Sequence, residues 1–166
     1  MSAARKVLVI LALIGALIGT PAALADPPQR GPAVFDDFTT APGEVCSFGL
    51  SFEVVENNVV ETFFADGRLQ FTGHFVSRIT NLTSGASIEV NTSGPGTLVL
   101  NEDGSASGFA RGNSIFILFA GLDVGGPALL HTNGRVDFTF AAEGGISSLE
   151  THGNVTDLCE ALAAPA

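Results

Sequence analysis

Reactive side chains are few in this chain and widely spaced. His74, His131 and His152 fall on three separate predicted strands. No H-x-x-x-H or cysteine-rich spacing accompanies them, and no loop follows the D-x-[DN]-x-[DN]-G calcium pattern, so no metal ligand set is expected. Gly104-Ser105-Ala106-Ser107-Gly108 has the outline of a G-x-S-x-G nucleophile elbow. Its centre is Ala106, though, and a strand-to-helix turn is not predicted there, so it reads as a turn entering a strand. Glu53, Glu61 and Glu89 lie on polar strand faces, as solvated carboxylates do. Both residues of Arg5-Lys6 precede residue 26, so the remainder has no lysine, which excludes Schiff-base and pyridoxal chemistry there. No cofactor is expected, and the balance favours a non-enzymatic domain. The catalytic alternative is an isomerase or cyclase working in an apolar pocket with His74 or Asp123.

The two cysteines carry more information. Cys46 and Cys159 flank most of the patterned sequence and lack a C-x-x-C spacing or a basic neighbour that would make a reactive thiol. They are expected to form a disulfide, closing a loop of about 110 residues that a chain-entropy treatment values at roughly 4 to 5 kcal/mol. That expectation requires an oxidising compartment, and the start of the chain supplies one. Arg5-Lys6 precede the uncharged run Val7 to Ile18, followed by Thr20-Pro21 and Ala23-Leu24-Ala25, the layout of a secretory signal peptide cleaved before Asp26. The apolar run is about half the ~20 residues a membrane helix needs, so no integral membrane segment is expected after cleavage. The domain reading is residues 1–25 signal peptide, 26–43 N-terminal lead, 44–163 a single β-domain and 164–166 tail.

From residue 26 onward there are five arginines and 17 acidic residues, a formal charge of −12. Such a field repels phosphate backbones and anionic lipid, so nucleic acid is excluded as a partner. Neither Trp nor Tyr occurs, while all 13 phenylalanines lie beyond the leader. Carbohydrate surfaces and protein-interface anchors rely on aromatics with a polar tip. Phenylalanine can only bury or stack, so these rings fill a core or line an apolar cavity. Phe71, Phe75, Phe116, Phe119, Phe138 and Phe140 are the candidate lining, with Asp123, in the glycine-rich loop Ala120 to Pro127, as candidate rim.

The elements that must position these residues read as strands. Cys46, Phe48, Leu50, Phe52 and Val54 alternate with Ser47, Gly49, Ser51 and Glu53; Leu69, Phe71, Gly73 and Phe75 alternate with polar neighbours, as do Val136, Phe138 and Phe140. Asp66-Gly67 and Asn133-Gly134 read as two-residue hairpin turns, and Thr83-Ser84-Gly85, Asp103-Gly104 and Gly144-Gly145 as further reversals. About ten strands follow, near 46–55, 59–65, 68–80, 87–92, 97–101, 106–111, 114–119, 128–132, 135–141 and 146–152. Ile115-Phe116-Ile117-Leu118-Phe119 lacks alternation, which suits a strand covered on both faces or lining a cavity. Only Asp157 to Ala163 reads as helix, with Asp157 as cap. The expected architecture is an all-β antiparallel meander forming a closed or nearly closed β-barrel, with a two-sheet β-sandwich as alternative.

Phe64-Ala65-Asp66-Gly67-Arg68, Thr80-Asn81-Leu82, Ser93-Gly94-Pro95-Gly96, Asp103-Gly104-Ser105, Asp123-Val124-Gly125-Gly126-Pro127 and Val155-Thr156-Asp157-Leu158-Cys159 give the chain a resemblance. It resembles a group of small exported β-rich proteins of unknown function from high-GC Gram-positive bacteria. The meander also looks like the small barrels of lipocalin-like and allene-oxide-cyclase-like proteins, a likeness of fold that carries no activity. The function expected from the residues is a secreted domain that binds a small apolar ligand in a barrel interior or mouth. An envelope or extracellular interaction protein, its protein partner unspecified, is the alternative of a different class.

Overall fold

The computed structural model describes residues 27–122 and 124–163. The predicted leader, Asp123 and the 164–166 tail lie outside the described residues. Eleven strands and one helix follow in order: β1 (Gln29–Pro32), β2 (Phe38–Thr40), β3 (Leu50–Asn57), β4 (Val60–Phe63), β5 (Arg68–Thr72), β6 (His74–Asn81), β7 (Ser87–Ser93), β8 (Gly96–Leu100), β9 (Ala106–Leu118), β10 (Ala128–Phe140), β11 (Ile146–Asp157) and α1 (Leu158–Ala163). None of the described helices is long and apolar enough to cross a membrane.

All pairings are antiparallel, in a seven-stranded sheet ordered β1-β4-β5-β8-β9-β10-β11 and a four-stranded sheet ordered β2-β3-β6-β7. The two sheets are halves of one folded meander. Phe71 pairs with Gly96 and His74 with Ser93, so the β5–β8 and β6–β7 ladders keep a single register across the break. Val60 pairs with Thr72 and Asn57 with Phe75, so β3 passes into β4 alongside in the same way, after a bulge between Val54 and Glu56.

A row of glycines makes the fold line. Gly134 pairs with Gly112 on one side and Gly153 on the other, and the continuing registers bring Gly94 beside Gly112 and Gly73 beside Gly94. Gly134 has φ of 142° and Gly94 φ of 154°, a backbone region that side chains disfavour. A Cβ at Gly94 would lie 1.7 Å from the carbonyl oxygen of Arg111, and one at Gly134 would lie 2.2 Å from that of His152. No side chain fits where neighbouring backbones approach this closely, and the strands bend there.

Several expectations are corrected, among them the single strand near 68–80, which Gly73 divides into β5 of one sheet and β6 of the other. Among the described residues no closed barrel forms; the sheets face each other, which fits the sandwich alternative, because the meander covers its core by folding across the glycine row instead of curling until its outer strands pair. Asn133-Gly134 is not a hairpin turn but the middle of β10, so the two strands expected on either side are one, as are the two expected from 106 to 119. The lead also contains structure: Gln29–Pro32 pairs with β4 and Phe38–Thr40 with β3. Its Pro32 is tolerated because β1 is an edge strand. The other turns lie where expected, with Gly67, Gly85, Gly104, Gly144 and Gly145 all at positive φ.

The space between the sheets is packed at one end. Leu50, Phe52, Ile79, Val90 and Leu129 meet Val45, Leu158 and Leu162 there. Helix α1 acts as an end plug: Asp157 Oδ1 caps it by accepting from Cys159 N at 2.8 Å, and Asn81 Nδ2 donates to the Leu162 carbonyl at 3.1 Å. The expected disulfide joins Cys46 to Cys159, with Cα atoms 5.5 Å apart, and ties the plug to the chain entering β3. The unbroken apolar run in β9 is covered on both faces. Ile115 and Ile117 pack on this core, while Phe116 and Leu118 join Val136 and Ile146 in a second cluster.

Candidate functional site

Beyond the packed end, the same inter-sheet space opens into a cavity of about 610 Å3. That lies within the roughly 300 to 1,000 Å3 that small-molecule sites occupy. Alternation aims the lining inward from both halves: Phe52 and Val54 from β3, Phe71 from β5, Phe75 and Ser77 from β6, Leu98 from β8, and Phe138 and Phe140 from β10, while the consecutive Ile115 to Ile117 of β9 also border the cavity. The glycine row passes beside it, with Gly73, Gly94 and Gly96 in the wall. Small residues at the fold line leave the volume that bulky ones would occupy.

Five of the six phenylalanines singled out from the sequence are brought to this one cavity: Phe71, Phe75, Phe116, Phe138 and Phe140. Phe116 and Phe138 meet edge to face with centroids 5.5 Å apart, and Phe138 and Phe140 do so at 5.6 Å. Phe119 is elsewhere; it falls one residue past the end of β9 and is 43 % exposed, outside the inward alternation. Asp123 lies outside the described residues, so no role as rim is assigned to it.

The sequence reading missed the mouth. The segment Ala33–Asp37 links β1 to β2 and carries Phe35, which packs on Phe75 at 4.8 Å; Phe38, just beyond it, stacks on Phe52 at 4.4 Å. Phe35, Asp36 and Phe38 all line the cavity. The strap is held by Ala33 N donating to the Val59 carbonyl at 3.0 Å, Asn57 Nδ2 donating to the Ala33 carbonyl at 2.8 Å and Val54 N donating to Asp37 Oδ1 at 2.7 Å. Val34 is 82 % exposed between these anchors. The signal was present in Val34, Phe35 and Phe38, three large apolar residues in a stretch read as a lead.

Asp36 and Glu53 are the charged residues of the cavity lining among the described residues, and both are exposed. His74 Nδ1 lies 3.3 Å from Glu56 and does not line the cavity, so it does not converge with the apolar wall as a catalytic reading requires. Arg78 bridges Glu53 and Glu89 at 3.0 and 2.7 Å, which raises the guanidinium pKa further above its ordinary value. Arg135 sits over the Phe109 ring at 4.6 Å and bonds both oxygens of Asp137, holding that carboxyl below its usual range. His152 lies 3.6 Å from Asp137 and 3.5 Å from Glu150. Among the described residues no three His, Cys, Asp or Glu side chains gather into a metal-binding group. Ala106 begins β9, and Ser105 is engaged with Asp103, whose carboxyl is lowered by the Ser105 hydroxyl and amide; the elbow-like sequence is a β8–β9 turn.

Comparison with family models, curated proteins and solved structures returns no match. The chemistry open to the site therefore follows from its lining alone. It offers apolar surface, aromatic edges, a few hydroxyls, the Asn113 amide and, among its exposed members, the Asp36 and Glu53 carboxylates.

Proposed function

We propose that this domain binds a small apolar ligand between its two sheets and does so after export. The observation that carries the reading is the contrast within one inter-sheet space. One end is filled by aliphatic side chains, while the other keeps about 610 Å3 open and lined with phenylalanine. A cavity of that size forfeits packing contacts, which a ligand would restore. The Phe35–Phe38 strap gives the ligand an apolar mouth to pass.

Diphenylhexatriene, a hydrocarbon that fluoresces in apolar surroundings, tests the reading. Titration of the oxidised protein should give saturable fluorescence at one site per chain, and Ala110→Trp, which fills the cavity from β9, should abolish it while the fold persists by circular dichroism. Absence of saturable binding to the unsubstituted protein would overturn the proposal. Export is supported by the leader sequence and is compatible with the Cys46–Cys159 bridge. Intact mass of protein recovered from the medium should match a chain starting at Asp26 with two hydrogens lost.

A further inference from the structure

Ser77 has a buried hydroxyl with nothing to bond. It is 5 % exposed, it lines the cavity, and its Oγ has no hydrogen-bond partner among the described residues. On the inward face of β6 it follows Phe75, which lines the cavity, and precedes Ile79, which belongs to the packed core. Ser77 is thus the last cavity residue of that strand, at the inner end. Its neighbours give no relief: Val54 and Val90 flank it across the ladders. Thr92, also in the wall, already donates to the Phe75 carbonyl at 3.4 Å, and Asn113 Oδ1 accepts from Asn133. A buried hydroxyl left unpaired is unfavourable, and rotation about one side-chain bond lets serine serve as donor or acceptor.

The charges in the lining point the same way. Asp36 and Glu53 are its ionisable members, both exposed at the rim, and no Arg, Lys or His contributes to it among the described residues. Arg78 pairs with Glu53, so an anionic headgroup would meet the Asp36 carboxylate on entry and would lie inside without a cation in the lining, a heavy penalty in an apolar site.

Resting on the proposed binding function, we infer that the cavity selects uncharged amphiphiles carrying one hydroxyl or carbonyl, taken polar end first to Ser77, over carboxylates of the same chain length. The hydrocarbon then lies among the phenylalanines, beneath Phe35 and Phe38.

The test is displacement of diphenylhexatriene by 1-decanol and by decanoate at pH 7, on the unsubstituted protein and on Ser77→Ala. That variant removes one oxygen atom, is close to isosteric and should fold. Decanol should displace the probe at least ten times more effectively than decanoate. Ser77→Ala should weaken decanol by about 5- to 10-fold, the value of one hydrogen bond, with displacement on each protein referred to the probe affinity measured on that same protein. Decanoate competing as well as decanol, or decanol unaffected by Ser77→Ala, overturns the selectivity while leaving apolar binding intact. Failure of the probe to bind the unsubstituted protein removes the underlying function instead.

Discussion

The two ends of the inter-sheet space are built from the same strands and solve opposite problems. At the plugged end Leu50, Ile79, Leu129 and Leu162 are fully buried and close-packed, with a helix and a disulfide sealing the opening. At the open end Phe71, Phe75, Phe138 and Phe140 remain half-buried around a cavity. The plugged end is filled to interior density by branched aliphatics, whereas at the open end Gly73, Gly94 and Gly96 supply no side chains to fill the space between the rings. The domain concentrates its stability in one half and keeps the other available, an arrangement in which stability and binding can be altered separately.

Removing the seal should have the largest effect. Cys46→Ser with Cys159→Ser frees a loop of over a hundred residues and should cost about 4 kcal/mol in denaturant unfolding, near the upper range for one bridge. A loss under about 1 kcal/mol would mean that the plug holds without its tether, and the contrast between the ends would weaken.

Next comes a pair of truncations whose order inverts side-chain size. Leu129→Ala creates a void in the packed core and should cost roughly 2 to 5 kcal/mol. Phe71→Ala removes more atoms, but from a wall that already faces open space, so it should cost only about 1 to 2 kcal/mol at ordinary burial values. The binding effects should run the other way: Phe71→Ala changes diphenylhexatriene affinity, and Leu129→Ala leaves it unchanged in the folded fraction. Equal stability costs at the two sites would break the comparison.

What the sequence made legible divides along similar lines. Period-two alternation found the strands, and glycine-containing turns at 66–67, 83–85, 103–104 and 144–145 were read as reversals because local backbone demands fix them. Asn133-Gly134 misled because the same dipeptide serves a turn or a strand bend, and only pairing with Gly112 and Gly153 distinguishes them. The Cys46–Cys159 bridge and Asp157 cap were legible from chemistry and position. Of the six phenylalanines expected as lining, Phe71, Phe75, Phe138 and Phe140 lie in alternating strands and do border the cavity, whereas Phe116 and Phe119 share an unalternating run and were not separable until the end of β9 was known. The Phe35–Phe38 strap stayed hidden because Val34-Phe35-Asp36-Asp37-Phe38 shows no period-two alternation.

Ser77→Ala should give a smaller effect of opposite sign. Deleting a buried hydroxyl that has no partner should stabilise the unliganded protein by about 0 to 1 kcal/mol. A destabilisation above 1 kcal/mol would show that the hydroxyl is already satisfied in the fold, placing Ser77 with the packed end and not the open one.

The smallest effect lies on the outer surface of the open half. Arg135 braces that surface by stacking on Phe109 and bonding Asp137, which is next in sequence to the cavity residue Phe138. Arg135 is the main reason the Asp137 carboxyl is held below its ordinary value, so folding favours the ionised form. The contribution is complete above the unfolded carboxylate pKa of about 3.9 and is lost as pH falls through the lowered folded value. The stability gap between the unsubstituted protein and Asp137→Asn should therefore be present at about pH 5 and should close as the carboxylate titrates below about pH 4. Solvent screens the pair, so the gap should be small and should shrink in 1 M salt. A gap that instead widened below about pH 4 would mean that Asp137 is held in its neutral form, and the brace on the open wall would not be an ion pair.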